Sequence, residues 1–350
     1  MTAAPVTSIP IRPKKKLGKR RTGDRSQVIR RTFQIVFLAL NVWIGVQFVL
    51  FVHYYESGGS GWQAGRPAGV EGWLPIASLM NLKVLIETAH VPRVHGAGMF
   101  LLISFLAISW LLRKSFCSWL CPVGTMSEYL WRLGRNTFGR NWKLPRWADI
   151  PLRSVKYVLL GLFLYAVGSM SVSAIQAFLE GPYGLVSDVR MLNFFRFLSI
   201  GGAVVLAALV LLSVFVQNFW CRYLCPYGAL MGLTAFASPL RIRREAQLCI
   251  DCSKCAKACP SILPVDRLVT IRSVECTGCL ECVTACPAQG ALQMVAPRRL
   301  TIPAWAIAAA AACLFVGICA YARYTGNWRT DLPEQLYFDL IPHAREFTHP

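Results

Sequence analysis

Charge is what this chain has least of. Only 15% of its 350 residues are charged, and acids are the scarcer sign: 17 Asp and Glu against 37 Lys and Arg, with five His. A soluble domain has about a quarter of its residues charged. The low fraction, beside 55% hydrophobic residues, excludes an ordinary soluble core and points to a membrane protein. Also missing are a paired catalytic acid and base and any glycine-rich nucleotide loop. Any enzyme activity is therefore electron transfer at a quinol or a metal. The formal charge of +20 would suit nucleic acid by its sum alone, but its distribution along the chain decides its meaning.

Cysteine, by contrast, is abundant, with 14 residues. Eight form one pattern used twice: Cys249-x-x-Cys252-x-x-Cys255-x-x-x-Cys259-Pro260, then Cys276-x-x-Cys279-x-x-Cys282-x-x-x-Cys286-Pro287. Three cysteines on a tight loop hold three irons of one [4Fe–4S] cluster, and the fourth reaches across to the other cluster. The spacing thus assigns Cys249, Cys252, Cys255 and Cys286 to cluster one, and Cys276, Cys279, Cys282 and Cys259 to cluster two. Zinc competes for Cys-x-x-Cys pairs. The third Cys and the x3-Cys-Pro ending, used twice, belong to iron and sulfur. About residues 245–297 resemble a bacterial two-cluster ferredoxin. Thiolate ligands would be lost to disulfides, so this part is expected in a reducing compartment.

Residues 12–31 hold ten Lys/Arg and one acid, Asp24, and an uncharged run from Phe33 to Val52 follows. Arg30-Arg31-Thr32-Phe33 faintly resembles a twin-arginine signal, but the run is too long for a signal h-region and no small-residue cleavage site follows. It reads as a first span. Leu74–Ile86 is too short to cross and suits an interfacial or re-entrant helix. Further runs are Gly96–Leu112, Tyr157–Leu179, Phe197–Phe219 and Leu300–Ala322, with 180–196 read as a short loop. Trp131, Trp142 and Trp147 suit an amphipathic segment on the membrane surface. The N-terminus, 113–156 and 222–300 carry ten, nine and ten Lys/Arg; the alternate segments carry three, two and three. By the positive-inside rule the N-terminus and the cysteine-rich unit face the cytoplasm, and the C-terminus faces outside. The charge then reflects topology and lipid headgroups, not nucleic acid.

A second motif is repeated 104 residues apart: Cys117-Ser118-Trp119-Leu120-Cys121-Pro122 and Cys221-Arg222-Tyr223-Leu224-Cys225-Pro226, each at the cytoplasmic end of a span. If helical, the i and i+4 spacing puts both sulfurs on one face. Four thiolates from two halves suit a third cluster, a copper(I) or zinc site, or redox-active dithiols. A structural disulfide is the plain alternative. Cys313 and Cys319 read as packing residues within a span. His53, His90 and His95 fall near the outer face. They fit a quinol site with acids such as Glu87 or Asp188 taking protons, haem ligation, or no task. Met80 and Met191 offer copper ligands or packing. Lys254, Lys257, Arg267 and Arg272 offer a docking face for an acidic donor, or a solvated face.

The span-end Cys-x3-Cys-Pro-x-Gly pair followed by a two-cluster unit resembles the membrane polyferredoxins over roughly residues 33–297. These are related to the quinol-dehydrogenase membrane component of periplasmic nitrate reductase, the membrane electron donor of nitrous oxide reductase, and the cytochrome-oxidase accessory protein linked to copper reduction. The resemblance implies inner-membrane electron transfer between quinol, flavin or cytoplasmic donors and a periplasmic or membrane partner such as a reductase, flavoprotein or cytochrome. It also raises a rival role, maturation, in which the dithiols bind or reduce copper for a partner. An N-terminal flavin domain is not seen, and the tail from Arg323 is too short for the oxidase accessory protein's outer β-sandwich. The expected fold is an α-helical polytopic membrane protein of about five spans with two repeated hairpins and an inserted α+β two-[4Fe–4S] ferredoxin-like domain. Its expected segments are a basic cytoplasmic tail (1–32), a hairpin with the first motif (33–130), an amphipathic linker (131–156) and a hairpin with the second (157–240). The ferredoxin-like domain (241–299), a fifth helix (300–322) and a periplasmic tail (323–350) complete it.

Overall fold

The computed structural model describes residue 19 and residues 23–330 and 332–348. Most of the expected basic tail, 1–32, lies outside the described residues. Helix α1 (Ser26–Glu56) takes in the first apolar run and the end of that tail, with Arg30 and Gln34 buried in its opening turns. A short 3₁₀ turn, Ala68–Trp73, leads to α2 (Pro75–Thr88), which starts on a proline that needs no N–H partner there. Next come α3 (Gly96–Leu111) and α4 (Pro122–Phe138), the latter closed by Gly139 at φ 72°. Helix α5 (Arg146–Ser169) is followed by α6 (Val172–Glu180), α7 (Pro182–Leu185), α8 (Ser187–Arg196), α9 (Ile200–Phe215) and α10 (Pro226–Phe236). After the cysteine-rich unit, α13 (Ala304–Tyr324) precedes α14 (Glu334–Leu340).

Three of these helices, α1, α5 and α13, are long and apolar enough to cross a membrane. The pair α8 and α9, bent by 83°, makes a fourth if counted as one span. Helix α3 is apolar but 16 residues long and largely buried among its neighbours.

Several expectations are corrected. The run Tyr157–Leu179 is not one helix: α5 begins eleven residues earlier, at Arg146, and the chain breaks at Met170 before Ser171 Oγ caps α6 through the Ala174 N–H (3.2 Å). The expected loop 180–196 is helical as α7 and α8. The expected linker 131–156 is mostly helix, unwound only between α4 and α5. Within it Trp131 is buried, 2% exposed, while Trp142 and Trp147 stay on the surface. Helix α2 is buried on one face, with Ala77, Met80 and Val84 against Val167, Ile175 and Leu179. Met80 therefore packs, and Met191 packs against the cluster around Phe51.

The cysteine-rich unit has a three-stranded antiparallel sheet in the order β2-β1-β3, from β1 (Arg241–Arg244), β2 (Thr270–Ile271) and β3 (Leu292–Val295). Ile242 of the central strand pairs with Ile271 on one side and Met294 on the other. Short helices α11 (Lys254–Ala258) and α12 (Glu281–Thr284) follow the two cysteine loops. The unit does not pack alone. Ile242, Ile271, Leu280 and Met294 share one apolar core with Ile108, Phe116, Trp119 and Met231 of the helical part.

Candidate functional site

The eight cysteines of the repeated pattern are all free thiols. Cys259, Cys276, Cys279 and Cys282 line one cavity together with Ile242, Leu263, Val265 and Ile271. Cys259 leaves its own loop to join the other three, and its Sγ accepts the Leu263 N–H at 3.5 Å. Cys255 lies within electrostatic reach of Cys286 and Cys249. Cys252 is exposed. Burial pushes the Cys255 and Cys259 thiols up to about 11 and Cys279 to about 12. Dry thiols of this kind ionise on binding metal, not before.

The second motif departs from its expected form. Phe116–Leu120 and Trp220–Leu224 are single π-helical turns, and Cys121 and Cys225 stand just outside them as N-caps of α4 and α10. The thiols are thus placed by a turn and a cap, not by one face of an α-helix. Each capping sulfur accepts a backbone N–H, Gly124 to Cys121 at 3.4 Å and Gly228 to Cys225 at 3.2 Å. Pro122 and Pro226 occupy first helical positions, where a missing N–H costs nothing. Cys117, Cys121, Cys221 and Cys225 line a single cavity, and Cys221 is in electrostatic reach of the other three. Burial holds Cys117 up at about 11 and Cys121 at about 12, against the opposing pull of Lys114 on Cys117. Among the described residues no three His, Cys, Asp or Glu side chains converge on a point fit for a single metal ion.

In each motif at least one middle residue binds the cysteine-rich unit. Ser118 Oγ donates to Thr277 O at 2.7 Å, and Trp119 Nε1 to Gly278 O at 3.3 Å. The matching positions of the second motif are Arg222, which donates to Ser261 O at 2.6 Å, and Tyr223, which donates to Asp149 at 2.7 Å. Both anchors fall on loops beside Cys276 and Cys259. Arg30, fully buried, adds a third tie: it donates to Ser118 O, to both oxygens of Glu128 and to Glu281. The Cys259 group is therefore fastened to the four-thiol site, while Cys252 of the other group faces outward.

The family description "4Fe-4S binding domain" fits residues 94–141 and again 198–244, spans that hold the two motifs; "4Fe-4S dicluster domain" fits 241–287. YccM of Escherichia coli (strain K12), named provisionally as an electron transport protein, is 47% identical over 326 residues, covering 91% of this chain and 91% of that protein. The chain belongs to the membrane polyferredoxin family. The regulatory protein NosR of Pseudomonas aeruginosa is 32% identical over 165 residues, 46% of this polyferredoxin but only 22% of NosR. The ferredoxin-type protein NapH of Escherichia coli (strain K12) is 29% identical over 185 residues, 52% of this chain and 59% of NapH. No solved structure matches the chain.

At the opposite end of the polyferredoxin's helices lies a buried ionic group. Arg66 Nη2 meets Asp188 at 2.7 Å and Nη1 meets Glu71 at 2.8 Å, with His95 Nδ1 3.5 Å from Glu71. Thr330 Oγ1 and the Gly98 N–H also donate to Glu71. Burial opposes the Glu71 charge, but Arg66 and His95 outweigh it and hold the carboxyl at about 2. Burial also opposes charge on His95, and Glu71 reverses that, raising the imidazole above its ordinary value. His95 Nε2 is 2.8 Å from Gly184 O, so neither ring nitrogen is free for a haem iron. His53 and His90 are exposed, and Glu87 makes only a surface pair with Lys83 at 3.6 Å. A cavity of about 790 Å³ runs from the four thiols past Phe105 and Phe315 to Arg66, Arg323 and Trp328. Sequence reading missed Arg30, Arg66, Glu71 and Lys114. The signal for them was a charge at the edge of an apolar run, Arg30 and Lys114 each in a basic pair, and such a charge does not reveal its partner.

Proposed function

We propose that this polyferredoxin carries electrons between a partner at its basic face and a redox partner on the far side of the membrane. In this reading Cys249, Cys252, Cys255 and Cys286 hold one [4Fe–4S] cluster and Cys276, Cys279, Cys282 and Cys259 a second. Cys117, Cys121, Cys221 and Cys225 hold a third. The donor sets fit: four thiols per group, with backbone N–H groups already aimed at sulfur at Cys121, Cys225 and Cys259. When bound, the clusters supply one-electron carriers; the chain supplies ligands, burial and fixed charge that set their potentials. The observation that carries the reading is the order of the groups in space. An outward-facing set, with Cys252 exposed, is followed by a set fastened to the four-thiol site, and that site opens on an apolar cavity leading away across the helices.

The proposed topology has five crossings in two repeated hairpins, with α3 and the bent α8–α9 pair completing the count. The N-terminus and cysteine-rich unit lie in the cytoplasm and the C-terminus in the periplasm of an inner membrane, as the Lys/Arg asymmetry favours. The cavity suits a quinol as the membrane-side substrate, being largely apolar with polar groups at its ends. The partner at the periplasmic side is a reductase, flavoprotein or cytochrome.

The test is an EPR-monitored redox titration of anaerobically purified protein with iron counted on the same sample. The reading expects about twelve irons per chain, falling to about eight in the Cys117→Ser/Cys221→Ser variant while two ferredoxin-type signals persist. An unchanged iron count in that variant would sink the third cluster. Midpoints far below the quinone pool would remove quinol as the donor.

A further inference from the structure

We propose that Lys114 is a positioning charge for the four-thiol site: its buried ammonium holds the occupant as an anion and raises its reduction potential. The inference rests on the reading that a cluster occupies that site. Lys114 is 3% exposed and lines the same cavity as Cys117, Cys121, Cys221 and Cys225. The chain turns inward here through Arg113 and Lys114, both in the left-handed region at φ 59° and 32°, a conformation that side-chain-bearing residues adopt under constraint. Gly232 of α10 packs close here: a Cβ on it would stand 2.9 Å from Val274 O and 3.3 Å from Lys114 Nζ.

The ammonium shares its nearest carboxylate, since Glu275 lies within electrostatic reach of both Lys114 and Lys156. Glu275 is the nearby acid, and its two oxygens each accept from Lys156 Nζ at 2.7 Å, with the Tyr157 hydroxyl at 3.0 Å. Among the described residues no carboxylate lies within ion-pair distance of Lys114. Two buried cations thus face one anion. An uncompensated buried charge is costly, so the missing partner is an anion within the cavity. Protonated thiols and disulfides are neutral and do not meet that need. Four thiolates around a cluster core leave a net negative group, which does. Reduction adds one electron and no proton, placing more negative charge beside the ammonium, so Lys114 favours the reduced form.

The experiment is a dithionite titration of the full-length protein in detergent, followed by EPR and iron analysis. The signal of the four-thiol site is the one that Cys117→Ser removes. Lys114→Met is expected to lower the reduction equilibrium constant of that signal about tenfold, ~59 mV for one electron. Lys114→Arg keeps the charge and the midpoint. Glu275→Gln, which removes the opposing anion, moves the midpoint up. Opposite shifts in these two variants are not expected from loosened packing. Iron lost in Lys114→Met but retained in Lys114→Arg also supports the charge. An unmoved midpoint in Lys114→Met at full iron, or iron lost in both Lys114 variants, overturns the role of Lys114 and leaves the third cluster standing. About eight irons in the unaltered protein overturns both.

Discussion

At the scale of single residues, the chain places few charges among apolar groups and ties nearly all of them. Arg30 is the clearest case. It is fully buried and joins α1, α4 and the loop after Cys279 through Glu128 and Glu281, which Arg132 also binds. Removing one partner of a buried pair strands the others, at about 3–5 kcal/mol. Arg30→Met is expected to lose that much in chemical denaturation in mild detergent. A loss below about 1 kcal/mol, the scale of a surface pair, would mean that Arg132 alone serves both acids. Glu71 makes a pH-dependent prediction. Its carboxyl is depressed from 4.5 to about 2, so the stability it contributes is complete at neutral pH and fades as pH falls from 4.5 through about 2. The difference in thermal midpoint between wild type and Glu71→Gln should be full at pH 7 and narrow below that window. A difference that stays constant to acid pH would show that shape, not charge, is what the glutamate provides.

At the scale of elements, the two Cys-x3-Cys-Pro motifs have the same turn and cap but unequal tolerance. A Cβ on Gly124 would stand 2.2 Å from Cys117 O, whereas one on Gly228 would find Cys221 O and the Cys225 sulfur at 3.6 Å. Contact at the first distance forces backbone to move, while the second is ordinary packing. If the four thiols hold the proposed third cluster, Gly124→Ala is expected to lose its iron, and Gly228→Ala to retain it. Equal loss in both, measured by iron content and EPR, would refute the contrast. The broken third run has a local cause. Ser171 offers a hydroxyl that caps a new helix, and such residues compete with helix continuation. Apolar composition alone passes over a break of this kind.

At the scale of the whole molecule, the cysteine-rich unit and the helices share a core. Trp119, Phe116 and Met231 are packed with Ile242, Leu280 and Met294, and the Ser118, Trp119 and Arg222 bonds and the Arg30 bond to Glu281 cross the same boundary. The expected outcome is cooperative unfolding. On heating, loss of cluster absorbance and loss of helical circular dichroism should coincide. Two separate transitions, with the absorbance going first, would show that the unit stands as an independent body. The tail is held similarly, since Tyr337 and Phe338 of α14 make edge-on and tilted ring contacts with Phe51, Tyr54 and Tyr55 of α1.

Sequence by itself determined the chemistry of this protein. Eight cysteines at fixed short spacing match a 4Fe-4S dicluster pattern, and that information is local. Long apolar runs likewise announced α1, α3 and α13, because a sustained run of one solvent preference needs no partner to be read. What only the tertiary structure decided is non-local. Spacing could not say that motifs 104 residues apart bring four thiols to one cavity. Nor could it say that the variable residues inside those motifs reach the loops beside Cys276 and Cys259. The partners of Arg30, Arg66 and Glu71 were hidden for the same physical reason: a charge is affordable in an apolar setting only where a distant segment supplies its counter-charge, and that meeting is made by the fold.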